Sequence, residues 1–227
     1  MGNRRGAFTL VEMLIVVALI VMLIAMLLPA LGMAKDTAKT VDCLARMRTI
    51  TIAWGKFAQD NRRRCVDPYP GSGWIGNGNS LDANKAGKLP PYYSSDPTAP
   101  QCPADTSNHF RTYSMNDHLG GRWSSSHPIK HTPRRPSHTF VLLEENDPRG
   151  YNLGSWVTYT TNGAWVDYVT AFHQGQMNIS FADAHVETWK WQDDRTAAIR
   201  SFWAVTPDNP DLERLQRAFI STFDPTQ

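Results

Sequence analysis

Cysteine is scarce in this chain: 227 residues contain only Cys43, Cys65 and Cys102, and no two of them form a C-x-x-C pair. That spacing speaks against a zinc ribbon or a thioredoxin-like redox motif. In an exported chain, three cysteines leave room for one disulfide and one spare thiol, with three pairings open. The net charge of +2 is spread evenly, without a basic stripe, so no nucleic-acid partner is expected. There is no G-x-S-x-G, no H-E-x-x-H and no phosphate-binding G-x-x-x-x-G-K loop, and the chain is not expected to be an enzyme. An Asp-rich calcium loop of EF-hand type, internal repeats and low-complexity segments are missing as well. The most informative absence is local. From Met13 to Ala34, 22 residues pass without a charge, bounded by Glu12 and Lys35.

That run is long enough to cross a bilayer. The acid at its entrance needs an explanation, because an ionised carboxylate at membrane depth costs about 2.5–3.5 kcal/mol on insertion scales. Three readings compete. A secretory signal peptide has its basic residues in Arg4 and Arg5 and small residues in Gly32-Met33-Ala34, but its apolar core is normally shorter and carries no acid. A plain anchor, with Arg4 and Arg5 kept inside, accounts for the length but not for Glu12 or Pro29.

The third reading rests on the stretch RRGAFTLVE, residues 4–12. It resembles the leader of type IV pilins and type II secretion pseudopilins, in which a short basic leader is cut before an aromatic residue followed by T-L-x-E. The resemblance implies cleavage by prepilin peptidase between Ala7 and Phe8, N-methylation of Phe8, and assembly roles for Phe8, Glu12 and Pro29. The family usually has Gly before the cut. Here Ala7 takes that place and Gly6 lies one residue earlier. Glu12 would pair with the Phe8 ammonium of a neighbouring subunit and fix the register of the filament. Pro29 removes one helical hydrogen bond and is expected to kink the span, with Gly32 adding softness.

Beyond the apolar run, Ala34 to Arg62 holds no proline, and Val41, Leu44, Met47, Ile50, Trp54 and Phe57 recur every three or four residues. This periodicity predicts an amphipathic continuation of the same helix, fading at Asp60–Arg64 before Pro68 and Pro70. The expected fold is α+β and pilin-like: a long N-terminal helix packed on an antiparallel sheet. The expected divisions are a leader at 1–7, a membrane half-helix at 8–34, an amphipathic half at 35–62 and a β-rich head at 63–227.

Within the head, residues 65–109 read as a long loop rich in Gly, Pro, Asn, Ser and Asp. Strand-like runs follow at Phe110–Met115, Thr139–Glu144, Trp156–Thr160, Trp165–Phe172, Met177–Ala182 and His185–Trp191. Helices are expected at Asp193–Ala204 and after Asn209, which precedes Pro210 and the stripe Leu212, Leu215, Phe219, Ile220.

The segment FHQGQMNISFADAHVETW resembles the C-terminal H-x9-D-G signature of a pilin-like family: His173, nine residues, then Asp183, but with Ala184 in place of Gly. A two-residue Asp-Gly hairpin would need positive φ at both positions, so Ala184 implies a different turn or some strain. Cys102-Pro103 and Cys43 also sit at family-like positions, so the resemblance favours a Cys43–Cys102 disulfide, with Cys65–Cys102 as the alternative. No cofactor is required. If His173, Asp183, His185 and Glu187 cluster, they are candidates for an ion, with calcium the one to test by analogy with some major pseudopilins. The implied partners are prepilin peptidase, other pilin or pseudopilin subunits and the inner membrane. The chain would cross that membrane once, N-terminus cytoplasmic and head periplasmic, before entering a pilus or pseudopilus. Two alternatives remain: a tethered or filament-displayed glycan-binding adhesin using Trp74, Tyr92, Tyr93 and Trp123, and a tethered periplasmic enzyme.

Overall fold

The computed structural model describes residues 9–71, 73–78, 80–94, 96–107, 109–120, 131–147, 154–159 and 163–219. Gly6, Ala7 and Phe8 of the expected cleavage site lie outside the described residues, as do Trp123 and Ile220. The chain divides into two compact units, one up to Ala38 and one from Lys39 onward, and each is described by itself.

Helix α1 runs from Leu10 to Asp60 and contains Pro29. Its start is built by a reciprocal cap. The Thr9 backbone N–H and hydroxyl each donate to Glu12 Oε2 at 2.8 Å, and the Glu12 N–H donates back to Thr9 Oγ1 at 3.3 Å. This is a capping box, with Thr9 flanking the helix and Glu12 at its third position. In the first unit every described residue of the apolar run is exposed.

In the second unit α1 buries Cys43, Met47, Ile50, Thr51, Ala53, Trp54 and Ala58. The buried face is rotated from the stripe expected by apolarity. Val41 is exposed, and Leu44 and Phe57 are only half-buried. The polar Thr51 goes inside because its hydroxyl finds the Met47 carbonyl at 2.8 Å and Ser180 Oγ at 2.7 Å. A satisfied hydroxyl can be buried at little cost. The helix ends where the sequence expects. Asn61 donates twice to the Phe57 carbonyl, and Arg62 and Arg63 take positive φ to turn the chain out.

The head begins with the loop-like stretch, interrupted only by a 3-10 turn at Asp82–Lys85 and the short α2 at Pro90–Tyr93. Then come β1 (Tyr113–Asn116), a 3-10 turn at Pro136–His138, β2 (Phe140–Glu144), β3 (Ser155–Trp156), β4 (Ala164–Trp165), β5 (Gln176–Phe181), β6 (Val186–Lys190), α3 (Asp194–Ala197), β7 (Ala204–Val205) and α4 (Pro210–Phe219). Five strands form one sheet in the order β3-β1-β2-β5-β6, and β4 pairs with β7 separately. The large sheet is mixed rather than wholly antiparallel, because β3 runs parallel to β1, with Met115 opposite Ser155.

Two apolar layers lie on the sheet. In one, Met47, Ile50 and Trp54 of α1 meet Tyr113, Met115, Val141 and Leu142, joined by Trp74, Ile75 and Leu89 from the long loop. In the other, Phe140, Leu143, Trp156, Met177 and Ile179 meet Leu212, Leu215 and Phe219 of α4. The long loop is thus held by its own buried aromatic and aliphatic side chains. Asn209 caps α4 as expected, its Oδ1 accepting from the Asp211 and Leu212 N–H groups at 2.9 and 3.1 Å.

Three expected elements are much shorter than their runs. Of Trp156–Thr160 only Trp156 is strand among the described residues, and the Val157 N–H donates to Asp167 Oδ2 at 2.7 Å. Of Trp165–Phe172 only the start is strand, because the Tyr168 and Thr170 carbonyls accept from the indoles of Trp156 and Trp191 at 2.9 and 2.8 Å instead of from a ladder. The helix expected over Asp193–Ala204 stops at Ala197. Trp203 turns with φ 61°, and Ala204–Val205 pairs with β4.

The β5–β6 hairpin resolves the question of Ala184. The Ala184 N–H donates to the Phe181 carbonyl at 2.8 Å and the Phe181 N–H to the His185 carbonyl at 2.9 Å, while Ala184 takes φ 69°. This is a three-residue loop with one left-handed position, not a two-residue turn with two. Ala in that conformation costs about 1–2 kcal/mol, part of which Gly would return through its greater freedom when unfolded. Ala184→Gly is therefore expected to raise head stability by roughly 0.5–1 kcal/mol, read as a higher urea midpoint at unchanged slope.

Candidate functional site

The first unit carries an apolar surface with an acid at its start. Leu10, Val11, Leu14, Val17, Leu27, Leu28 and Leu31 are all exposed, by 56–82%. An unbroken apolar surface of this size is not left in water. By length and composition α1 contains a segment able to span a membrane, and none of that segment is buried in the fold. Glu12 near its start accepts hydrogen bonds from the Thr9 N–H and hydroxyl.

The second unit holds a different constellation. Cys43, Cys102, Glu144 and His173 are all buried, and one ligand atom from each lies within 4.8 Å of all the others. Cys43 comes from the inner face of α1. Cys102 sits in the long loop, where the Asp105 N–H closes a turn on its carbonyl at 3.0 Å. Glu144 ends β2 on the same side as Leu142, facing α1. His173 is set by a tight turn before β5, where His173 and Gln176 exchange backbone hydrogen bonds at 3.2 Å.

Inside the cluster the Cys43 thiol donates to Glu144 Oε1 at 2.8 Å. His173 Nε2 lies 2.8 Å from the same oxygen and 3.3 Å from Cys102 Sγ. Each residue is also held from outside. Thr40 Oγ1 meets His173 Nδ1 at 3.0 Å, Tyr113 OH meets Cys43 Sγ at 3.1 Å, the Ala104 N–H reaches Cys102 Sγ at 3.4 Å, and the Asn178 N–H donates to Glu144 Oε2 at 2.7 Å. Burial pushes the Cys43 thiol well above its usual range. The hydrogen bond from Cys43, helped by His173, draws Cys102 down despite burial. Burial works against charge on His173, but its contacts with Cys102 and Glu144 outweigh this and lift it to about 10.

Of the sequence candidates, His173 is therefore separated from Asp183, His185 and Glu187. Those three form their own chain beside the hairpin. His185 Nδ1 lies 2.5 Å from Asp183 Oδ1, His185 Nε2 lies 3.3 Å from Glu187 Oε1, and Arg214 also reaches Glu187. The i, i+2 spacing brings them together from the hairpin loop to the start of β6, but it does not bring them to His173. Glu144 was not singled out in the sequence. Its signal is faint: an acid on the inward-facing register of an otherwise apolar strand, FVLLE. All three cysteines are free thiols, and Cys43 and Cys102 are neighbours. Cys65 lines a separate cleft with Arg64, Asp67 and Lys88, its thiol raised by burial to about 12.

A second polar knot lies nearby. His109 Nδ1 is 2.9 Å from Asp105 Oδ2 and 2.6 Å from Ser107 Oγ, and Nε2 is 3.1 Å from the Asp147 carbonyl. Serine, histidine and aspartate meet here without a nucleophile's geometry. One nitrogen serves both the hydroxyl and the carboxylate, and the other is taken by a carbonyl, so no basic nitrogen faces the hydroxyl alone. The Asp105 hydrogen bond raises the His109 pKa against burial. Asp105 is lowered, because hydrogen bonds from His109 and Ser107 outweigh its burial. The His109 contribution to stability is then complete below its unfolded pKa, about 6.5, and fades as pH rises through the higher folded value. The Asp105 contribution is complete above about pH 4 and fades as pH falls through its lowered value. Head stability is expected to peak between these limits, and His109→Asn should flatten the alkaline side of a urea-midpoint-against-pH profile.

The aromatic residues considered for ligand binding are largely spent on packing. Trp74 is fully buried and donates to the Gly154 carbonyl at 2.8 Å, and Tyr92 and Tyr93 are half-buried.

Comparison with known families finds the prokaryotic N-terminal methylation motif over residues 2–28. No curated protein and no solved structure matches the chain. The motif indicates a structural subunit rather than an enzyme, and it implies processing by prepilin peptidase and assembly with other subunits. With this motif at its N-terminus, a long apolar helix behind it and an α+β head, the chain fits a type IV pilin or pseudopilin.

Proposed function

We propose that this chain is a structural subunit cut by prepilin peptidase between Ala7 and Phe8, N-methylated on Phe8, and assembled through α1 into a type II secretion pseudopilus or a type IV pilus-like filament. The observation that carries the reading is the methylation motif at residues 2–28, running into an apolar helix segment that no described residue buries. Such a segment has two environments that suit it: a bilayer before assembly and a bundle of like helices afterwards. Lys39 onward, the head, would then lie on the periplasmic side, with the leader in the cytoplasm.

Glu12 suits both environments. In the single chain it is satisfied by the Thr9 cap. In the filament it would accept from the methylated ammonium of a neighbouring Phe8. Mass spectrometry of the N-terminus of the mature protein tests the proposal. A chain beginning at N-methyl-Phe8 is expected, and one beginning at Lys35 would mean that the segment is a signal peptide. Burial of Trp74 takes one of its four aromatics from the adhesin reading, while Tyr92 and Tyr93 are half-buried and Trp123 lies outside the described residues.

A further inference from the structure

We propose that Cys43, Cys102, Glu144 and His173 form a closed tetrahedral site for one zinc ion, which ties the head half of α1 to the long loop and to the edge of the core sheet. The donor set is two sulfurs, one imidazole nitrogen and one carboxylate oxygen. Thiolate with imidazole is the set that suits zinc, whereas calcium takes six to eight oxygens. Calcium is thus a poor candidate here.

Geometry supports the same ion. Zinc bonds of about 2.3 Å to sulfur and 2.0–2.2 Å to nitrogen and oxygen give tetrahedral edges of roughly 3.4–3.8 Å. Three of the six edges are 2.8 Å for Cys43–Glu144, 2.8 Å for Glu144–His173 and 3.3 Å for Cys102–His173, and the other three lie within 4.8 Å. Those three pairs stand at hydrogen-bond distances, and changes of about 1 Å or less per edge make room for the ion.

Metal-ligating side chains are normally oriented by a second ring of hydrogen bonds, and that ring is present for all four. Thr40 holds His173 Nδ1, so that Nε2 points inward. Tyr113 holds Cys43, the Ala104 N–H holds Cys102, and the Asn178 N–H holds the outer oxygen of Glu144. An entry path exists as well: a cleft of about 370 Å³, lined by Arg46, Gln101, Cys102, Asp105 and Thr112 among others, reaches the cluster at Cys102. Four buried ligands leave no open position, so the site is structural rather than catalytic.

A Cys43–Cys102 disulfide is the competing use of the same thiols. It would need only two of the four converging groups. It would also take the Cys43 proton donor away from Glu144, leaving the carboxylate and His173 buried with one partner fewer. The four-way convergence favours the ion.

The test uses the full-length chain, purified in detergent micelles without chelator or metal-affinity resin. Elemental analysis is expected to find one zinc per chain. Exchange for cobalt(II) is expected to give the visible bands of a tetrahedral ion and a sulfur-to-cobalt charge-transfer band. Alkylation under denaturing, chelating conditions should show Cys43 and Cys102 as free thiols. Cys102→Ser and Glu144→Gln should lose stoichiometric metal, and Cys102→His, which keeps a zinc ligand, should retain it. If the ligand variants fail to fold, Thr40→Val keeps all four ligands and should weaken zinc 10–100-fold. A Cys43–Cys102 disulfide in the exported protein without bound metal would overturn the proposal, as would metal content unchanged by the ligand variants or an octahedral cobalt spectrum. None of these readouts depends on how the N-terminus is processed, so the site and the filament reading stand or fall separately.

Discussion

Glu12→Ala is expected to leave cleavage before Phe8 intact and to abolish filaments. The variant removes an acid from the apolar entrance of α1, which favours residence in the membrane, so any loss of assembly cannot be blamed on poor insertion. What it loses in the single chain is small. The Thr9 cap accounts for about 0.5–2 kcal/mol of helix-end stability. What it would lose in a filament is larger: removing one partner of a buried ion pair costs about 3–5 kcal/mol. At 1.4 kcal/mol per tenfold, that weakens addition of each subunit by two to nearly four orders of magnitude. Thr9→Ala separates the two roles. It breaks the hydroxyl half of the capping box, seen at 2.8 Å, but keeps the carboxylate, and should still assemble. The measurements are mass spectrometry for the cut, and sedimentation with electron microscopy for filaments. Normal filaments from Glu12→Ala would refute the pairing role.

Trp156→Ala should be the most damaging single change in the head. The indole is fully buried, stands edge-on to Phe140 and Phe219 at 5.8 and 6.0 Å, and donates to the Tyr168 carbonyl at 2.9 Å. It therefore joins the parallel edge strand β3 to β2, to α4 and to the irregular stretch after β4. Truncation leaves a cavity at the meeting point of these elements and strips the Tyr168 carbonyl of its donor. Aromatic-to-alanine changes of this kind cost about 3–5 kcal/mol. Against a usual total of 5–15 kcal/mol, the urea midpoint should fall by roughly a fifth or more. Trp203→Ala is the natural comparison, since Trp203 is 54% exposed and stacks on Tyr159. A loss from Trp156→Ala no greater than that from Trp203→Ala would show that this layer is not the core described here.

Much of the fold is local in origin and was therefore legible. The end of α1 follows from a polar run closing an apolar period. The start of α4 follows from Asn209 and Pro210. β2 and β5 are β-branched and aromatic runs bounded by turns. The elements that were misjudged are those where side chains replaced the ladder. The Tyr168 and Thr170 carbonyls went to indoles, and the helix after Asp193 was cut short by a left-handed Trp203 and the β4–β7 pair. Neither outcome can be read from propensity, because the competing donors lie 12 and 21 residues away along the chain.

The polar cluster shows the same division. Spacing within one segment made His173, Asp183, His185 and Glu187 candidates if they clustered, and the hairpin loop and the start of β6 do place the last three side by side. Only the packing of α1 on the sheet could select Glu144, 101 residues from Cys43 and 29 from His173. The sequence alone determined what depends on neighbours in the chain: a charge-free run from Met13 to Ala34 behind a processing motif, and the Asn209 cap and the periods of the head. The tertiary structure decided which face of that helix is buried, which turn accepts Ala184, and which four distant side chains converge. Burial makes each polar group seek whatever partner the fold brings near, and sequence distance does not enter into that choice.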